Sequence, residues 1–285
     1  METSKSVVDT LGLVQSFWAP MFLKELRENT LWGSLLADPN YTLDKVKGGD
    51  TYKISQINKP TSTIKTIGVD ADTFDTNVLS TTQNDLVVNR RCVSGFEFSD
   101  LSVLMSQLEN ADSDIREALL ADVREQMNDH IKSLINPSSS APDHLYSGVS
   151  DFNETALSAT RKLAATAKWG NEKPWYLLAD VSFFSDLLSD TTLSAANTMG
   201  TNISPMLNGR YVLPRMNFNI VEDNSLATDT AFAFRADFMK VIFGTPRFKI
   251  SDLHALGQFG YKLSVDFVLG ARQVNDKKII KIYNS

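Results

Sequence analysis

The chain has 285 residues, of which 42% are apolar and 22% are charged, so its composition is that of a globular protein with a sizeable core. Its formal net charge of -6 at pH 7 argues against a general nucleic-acid binder, which requires a basic excess. No apolar run is long enough to span a membrane, and the first residues lack the pattern of a secretory signal. The single cysteine, Cys92, excludes an intramolecular disulfide and indicates a reducing compartment.

The charge is distributed unevenly along the chain. Of the 28 Lys and Arg residues and 34 Asp and Glu residues, residues 240–285 hold eight basic and three acidic ones, which leaves 20 and 31 for the remainder. The basic residues of this last segment are Lys240, Arg247, Lys249, Lys262, Arg272, Lys277, Lys278 and Lys281. The asymmetry has two interpretations: copies of the protein attract one another head to tail, or a strand face is simply solvated.

The N-terminal segment is unusually rich in large apolar side chains. Residues 16–41 contain two tryptophans, two phenylalanines and a tyrosine. Apolar spacing predicts a helix over residues 20–36, which ends near Asp38-Pro39. A turn at residues 48–50 then leads into a strand from Thr51 to Ile57. Such a segment either folds back into a core or is covered by another copy of the molecule.

The next segment, residues 58–85, contains nine Ser or Thr among 28 residues and few large apolar groups. Its β-propensity is high, but it is too polar to form a core of its own. Because strand-like sequence flanks it on both sides, we predict a long two-stranded excursion from the body. An isolated hairpin is marginally stable in water, so we expect it to lie on something, a neighbouring copy included.

The clearest helix follows the excursion. Apolar residues recur every three or four positions from Leu108 to Leu134, with acidic residues mostly off that stripe. Asp114 and Glu117 resemble a capping box, which places the start of the helix near residue 112 and its end near Ile135. The sequence NPSSSAPDH at 136–144 then forms a linker.

The second half of the chain is predicted to be a compact α/β unit followed by strands. Residues 150–239 contain a helix within 153–170, a buried strand within 174–180 and a short helix within 181–190. In the strand-rich end, apolar residues alternate with mostly polar ones from Tyr261 to Leu269, which is typical of a half-buried strand.

The sequence offers no recognisable catalytic, cofactor-binding or metal site. The histidines at 130, 144 and 254 have no ligand partner at metal-binding spacing. Cys92 has no positioned base, and the carboxylates of residues 70–75 lack the glycine and distal glutamate of a calcium loop. Glycine-rich phosphate loops and the GxSxG nucleophile motif are absent. We therefore predict that the protein is not an enzyme and needs no cofactor.

The order of elements resembles that of the major capsid proteins of tailed bacteriophages, which have the Hong Kong 97 fold, an α+β fold. The resemblance covers essentially the whole chain. The stretches that carry it are Trp18 and Pro20 with LWGSLLADPNY (31–41), GGDTYKI (48–54), FEFSDLSVLMSQ (96–107), PWYLLADVSFFSDLL (174–188) and NGRYVLPRMNFNIVEDNSL (208–226). None of these stretches is a catalytic signature.

The resemblance implies a division of the chain into five parts. They are an N-terminal arm (1–47), an extended β-hairpin loop (48–95), a peripheral domain with a long spine helix (96–145), an axial α/β domain (146–235) and the return strands of the peripheral domain (236–285). It also implies that assembly covers the apolar N-terminal segment. The inter-subunit contacts expected on this basis are Trp18, Pro20, Phe22 and Trp32 in the arm and Lys65 and Thr66 in the extended loop.

The implied function is self-assembly into the icosahedral shell that encloses a double-stranded DNA genome. The expected partners are the chain itself in pentamers and hexamers, a separate scaffolding protein, a portal and, where present, a decoration protein. Packaged DNA would be contacted only weakly, and no membrane is involved. The location would be the virion capsid, assembled in the host cytoplasm.

Two alternatives stay open. The first is the shell protein of an encapsulin-type nanocompartment, which a neighbouring gene for a docking peptide, rather than for a portal, would favour. The second is an α/β enzyme that uses residues 150–239, which would need a pocket with convergent polar groups.

Overall fold

The computed structural model describes residues 31–37, 48–57, 64–67, 78–99, 112–190, 206–207, 210–211, 213–244, 247–252 and 260–284. The helices in these ranges are α1 (Leu31–Leu36), α2 (Asp112–Ser133), α3 (Glu154–Thr166) and α4 (Val181–Ser189), with a short 3-10 helix at Asp276–Lys278. The strands are β1 (Thr51–Ile57), β2 (Thr81–Val87), β3 (Arg90–Ser99), β4 (Leu145–Ser147), β5 (Trp175–Ala179), β6 (Met206–Leu207), β7 (Arg210–Tyr211), β8 (Leu213–Arg215), β9 (Phe218–Glu222), β10 (Thr230–Arg235), β11 (Met239–Phe243), β12 (Arg247–Asp252), β13 (Gly260–Gln273) and β14 (Ile279–Tyr283).

Two larger sheets form the body. The first has six strands in the order β4-β14-β10-β5-β9-β8, with parallel pairs at β4-β14 and β5-β9. The second has four strands built on the long β13, which pairs with β3 along one side and with β12 and then β11, end to end, along the other. The combination of sheets and long helices confirms the predicted α+β class.

A shared hydrophobic core joins the two sheets. Leu178 and Phe234 from the six-stranded sheet and Val265 and Leu269 from β13 are buried in the same cluster, together with the apolar sides of α1 and α2. The opposite face of the six-stranded sheet packs on α3 and α4. The six-stranded sheet is therefore covered on both faces, which explains why β5 is apolar at nearly every position.

The long helix α2 confirms the helix predicted over residues 112–135. Leu119, Val123, Met127 and Ile131 are all buried and recur at every fourth position, so they form one stripe against the core. The acidic residues lie mainly off this stripe and keep the other side of the helix polar. Among the described residues, no helix combines the length and apolarity needed to cross a membrane.

Two aspartates fix α4 and its contact with the start of α3. Asp180 caps α4 by accepting from the backbone N–H groups of Ser182 and Phe183 at 3.2 and 3.1 Å. Asp186 accepts from the backbone N–H of Phe152 at 3.1 Å, just before α3. Aromatic stacking of Phe152 on Phe183, with ring centroids 5.3 Å apart, then joins the two helices.

The last strand differs from its expected position. Residues 236–285 were expected to complete one peripheral sheet, but β14 pairs with β10 and β4 in the six-stranded sheet. Ile279 and Ile280 are both fully buried, although adjacent strand residues face opposite sides. Such a strand needs cover on both faces, and the six-stranded sheet provides that cover.

The predicted strand Thr51–Ile57 is confirmed as β1, and it pairs with β2 to form the base of the excursion. The strand-like sequence that follows the excursion is divided at residues 88–89 into β2 and β3. At this point the chain passes from the hairpin into the four-stranded sheet. A small cluster holds this junction: Leu86 and Val88 are buried against Ile242, with Val268 packed beside them. The direction in which the hairpin leaves the body is therefore set by packing on the sheet.

Gly270 makes this close approach possible. A Cβ at position 270 would lie 2.8 Å from Leu86 Cδ2, 3.0 Å from Val88 Cγ2 and 3.1 Å from the carbonyl oxygen of Val87. Only a residue without a side chain lets the hairpin lie directly on β13 at this point.

We predict that Gly270→Ala lowers the free energy of unfolding by roughly 1–3 kcal/mol, because the added methyl group overpacks the junction. Chemical denaturation measures the loss, and hydrogen exchange of β1 and β2 should report faster opening. Gly48→Ala is the matched control, since its Cβ would meet Val268 at an ordinary 3.8 Å. Equal stability of the two variants would contradict the packing account.

Candidate functional site

Trp32 lies within the shared core. Its side chain is fully buried, and its ring stacks on Phe234 with centroids 5.1 Å apart and meets Phe232 edge to face at 5.5 Å. Both phenylalanines belong to β10, so aromatic packing fixes α1 on the six-stranded sheet. The prediction that another subunit covers Trp32 is therefore wrong, because its own chain already covers the ring.

A buried polar network surrounds the nitrogen of Trp32. The indole N–H donates to Asp223 Oδ2 at 2.9 Å, while Asp223 Oδ1 accepts from the N–H and hydroxyl of Ser225 at 3.0 and 2.7 Å. Asn128 donates to the Ser225 hydroxyl oxygen at 3.3 Å, and Lys132 donates to the Ser225 carbonyl at 2.8 Å. These five residues, named here the Asp223 network, join α1, α2 and the end of β9.

The carboxylate at the centre of this network is costly to bury. Burial raises the pKa of Asp223, although hydrogen bonds from Ser225 and Trp32 and the charge of Lys132 act in the opposite direction. A folded pKa above the unfolded value means that stability falls as the pH rises through that folded pKa. The three hydrogen bonds favour the ionised form and so limit the rise in pKa that burial causes.

A second charged cluster lies at the C-terminal end of β10. Arg235 donates to both carboxylate oxygens of Asp237, at 2.6 and 2.7 Å, and Lys278 donates to Oδ2 at 2.8 Å. Burial would raise the pKa of Asp237, but hydrogen bonds from Arg235 and Lys278, together with their charges, lower it to about 2. The cluster ties the end of β10 to the short helix that precedes β14.

The other residues predicted to contact neighbouring subunits fall into two groups, one outside and one within the described residues. Trp18, Pro20 and Phe22 lie outside the described residues, so their role stays a prediction. Lys65 and Thr66 are exposed, and the two isoleucines that flank them are fully exposed. Val78 and Leu79 are exposed as well on the other side of the excursion. The described part of the excursion thus presents apolar side chains to solvent, as an element that lies on another surface would.

Three of the residues considered for chemistry, Cys92, His130 and His144, lie in the described part of the chain. Burial and then the charge of Asp122 raise the pKa of the half-buried Cys92 thiol, which keeps the thiol protonated. Burial and then the charge of Arg90 lower the pKa of His130. Fully buried His144 has no hydrogen-bond partner for its ring nitrogens among the described residues, and His254 and residues 70–75 lie outside them. In the described ranges, no group of three His, Cys, Asp or Glu side chains could hold a metal ion.

Sequence reasoning missed the Asp223 network. Asp223 stands in the stretch NIVED as an ordinary strand-end acid, and nothing in its neighbourhood along the chain points to Trp32, 191 residues away. The one available signal was the apolar strand that precedes it. A carboxylate directly after a buried strand often lies at a covered sheet edge.

We predict that Trp32→Phe lowers the free energy of unfolding by roughly 2–3 kcal/mol, because it leaves Asp223 Oδ2 buried without its donor. The loss should be smaller in an Asp223→Asn background, where the partner is neutral. A double-mutant cycle measured by urea denaturation gives the coupling. Additive losses would show that the hydrogen bond contributes nothing beyond ring packing.

The Asp237 cluster predicts a defined pH dependence. Its folded pKa of about 2 lies below the ordinary value of 3.8, so the group stabilises the fold fully above about pH 4 and loses that effect as the pH falls toward 2. Asp237→Asn should therefore cost about 2 kcal/mol at pH 6 and much less near pH 2. Thermal unfolding between pH 2 and pH 6 measures this difference, and a constant gap would refute the assignment.

No family model and no curated protein sequence matches the chain. Solved structures do match. The chain is similar to a structure titled "Capsid structure of the Cyanophage P-SCSP1u", with a TM-score of 0.67 and 13% identity, over 94% of this chain and 92% of that one. It is also similar to a structure titled "Mycobacterium phage Che8", with a TM-score of 0.66 and 18% identity, over 93% and 94% of the two chains.

A weaker similarity links the chain to "virus-like particle from Pyrococcus furiosus", with a TM-score of 0.52 and 12% identity over 83% and 87% of the two chains. The phage structures match over more of both chains and with higher scores. The structures matched at this level are mainly phage capsids. The chain therefore has the fold that these phage capsid structures share.

Proposed function

We propose that this chain is the major capsid protein of a tailed bacteriophage and that its copies assemble into an icosahedral shell around a double-stranded DNA genome. The observation that supports this most is the similarity to a phage capsid structure over more than nine-tenths of both chains, 94% and 92%.

The proposal includes the subdivisions of the Hong Kong 97 fold. Residues 1–47 would form the arm, 48–95 the extended loop, 96–145 the peripheral domain with α2 as its spine, and 146–235 the axial domain. The return segment, 236–285, is divided by the pairing of its strands: β11, β12 and β13 pair in the sheet beside α2, whereas β14 pairs in the six-stranded sheet. We therefore assign β14 to the axial domain.

The proposed contacts between subunits are Trp18, Pro20 and Phe22 in the arm and Lys65 and Thr66 in the extended loop. Exposure of Ile64 and Ile67 beside the last two supports a buried role in the assembly, because such apolar groups gain free energy when they leave water. Repetition of each contact over many subunits multiplies the gain. Trp32 is not among the contacts.

The remaining parts of the proposal follow from this role. A shell subunit needs no catalytic site, so we propose no enzyme activity and no cofactor. Its partners would be other copies in pentamers and hexamers, a separate scaffolding protein, a portal and, where present, a decoration protein. The net charge of -6 supports weak contact with packaged DNA. Assembly would take place in the host cytoplasm, and the product is the virion capsid.

The encapsulin-type shell is the second candidate, and the similarity to the Pyrococcus furiosus virus-like particle gives it less support than the phage structures give the phage role. The TM-score of 0.52 for that particle stands against 0.67 for the cyanophage capsid, so we prefer the phage role. Both candidates share the prediction of a closed shell. They differ in whether the shell takes up DNA or a cargo protein.

Expression of the chain alone and with a scaffolding protein, followed by size-exclusion chromatography and negative-stain electron microscopy, tests assembly. We expect closed shells, tubes or rings of five and six subunits. A monomer that persists even with scaffolding protein would overturn the proposal. Closed shells that package a protein cargo and exclude DNA would instead establish the compartment.

A further inference from the structure

The edge strand β12 presents two cations that form no ion pair with a described residue. Arg247 and Lys249 are exposed and pair in register with Asp266 and Ser264, so they lie on the outward face of the four-stranded sheet, away from the shared core. Side chains two positions apart on a strand stand about 7 Å from each other. In the described ranges β12 pairs only with β13, so its outer edge is open.

The acidic groups on that face are already engaged. Asp266 binds Arg91 at 2.7 Å, and Glu97 binds Lys262 at 2.7 Å. Neither Arg247 nor Lys249 forms an ion pair within the part of the chain that the structure describes. Among the described residues, the edge at β12 therefore carries two unpaired positive charges, because Asp266, the carboxylate opposite Arg247, is already bound to Arg91.

The opposite side of the same unit is acidic. Helix α2 contains six acidic residues and three basic ones, the acids being Asp112, Asp114, Glu117, Asp122, Glu125 and Asp129. Asp122 and Asp129 are seven positions apart, so they lie on one side of the helix, and both are exposed, although Asp129 also binds Lys132 at 2.7 Å. Asp122 acts electrostatically on Cys92, which places this side of α2 toward β3. We name Asp122 and Asp129 the acidic flank.

The basic edge and the acidic flank lie on different sides of the unit. Helix α2 packs on β3 and β13, whereas β12 pairs along the side of β13 that is away from β3. A patch and its complement on opposite sides of one chain cannot meet within that chain. They can meet between copies in a head-to-tail contact, and such contacts close into rings when the rotation between copies allows it.

We propose that neighbouring copies dock head to tail, with Arg247 and Lys249 on β12 of one copy against Asp122 and Asp129 on α2 of the next. The inference rests on the proposed function, since it names a contact by which the subunits assemble. Charge complementarity selects a second copy as the occupant: the last 46 residues hold eight basic and three acidic residues, and the rest of the chain holds 20 and 31. Such pairing fixes register and speeds encounter.

The test uses charge reversal in the full chain under the conditions in which the wild type assembles. The paired variant Arg247→Glu with Lys249→Glu should reduce the assembled fraction about tenfold, because like charges then face each other at the contact. Asp122→Lys with Asp129→Lys should do the same. The chain that carries all four substitutions should assemble again, because every contact then regains opposite charges.

The matched control is Arg161→Glu with Lys162→Glu on α3, two exposed cations whose reversal changes the net charge equally. It should assemble like the wild type, and circular dichroism should show that every variant is folded. The contact is refuted, while the shell function stands, if the variant with Arg247→Glu and Lys249→Glu assembles as well as this control. The same holds if the chain with all four substitutions stays unassembled. A wild type that forms no assembly with scaffolding protein refutes the shell function, and this contact with it.

Discussion

The core shared by the two sheets is the constraint on which the rest of the structure depends. It takes apolar side chains from the six-stranded sheet, from β13 and from α1 and α2, so neither sheet could bury this face without the other. The Asp223 network lies at the point where three of these elements meet. A buried carboxylate with donors from α1 and from the loop after β9 leaves little freedom for the position of either element.

The shared core determines where two segments of the chain start. The segment before α1 starts from a helix that Trp32 fixes, and the hairpin starts from a junction in which Gly270 lets β2 lie on β13. Both elements would reach neighbouring subunits in the proposed shell. A shell repeats each contact many times, so a small error in the direction in which either segment leaves the core would be repeated as well. Fixing the two points of departure by dense packing suits that requirement.

Charge supplies a different kind of information from packing. Apolar surface on the hairpin can stabilise an assembly, but it does not specify orientation well because hydrophobic contact is non-directional. The basic edge at β12 and the acidic flank of α2 can select one orientation, since reversal of a subunit would place like charges together. Assembly by such contacts would be sensitive to salt, because exposed charges are screened within about 10 Å at 0.1 M ionic strength.

The sequence by itself determined the local elements whose periodicity is strong. The stripe on α2, the alternation in β13 and the strand Thr51–Ile57 could all be predicted, because these patterns depend on residues close in the chain. The order of elements also gave the α+β class and the resemblance to phage capsid proteins. Only the tertiary structure decided where β14 pairs, that Trp32 is buried in its own chain and that Asp223 receives its indole N–H. Those outcomes depend on contacts between residues far apart in sequence, 191 positions in the case of Trp32 and Asp223, and no local pattern encodes them.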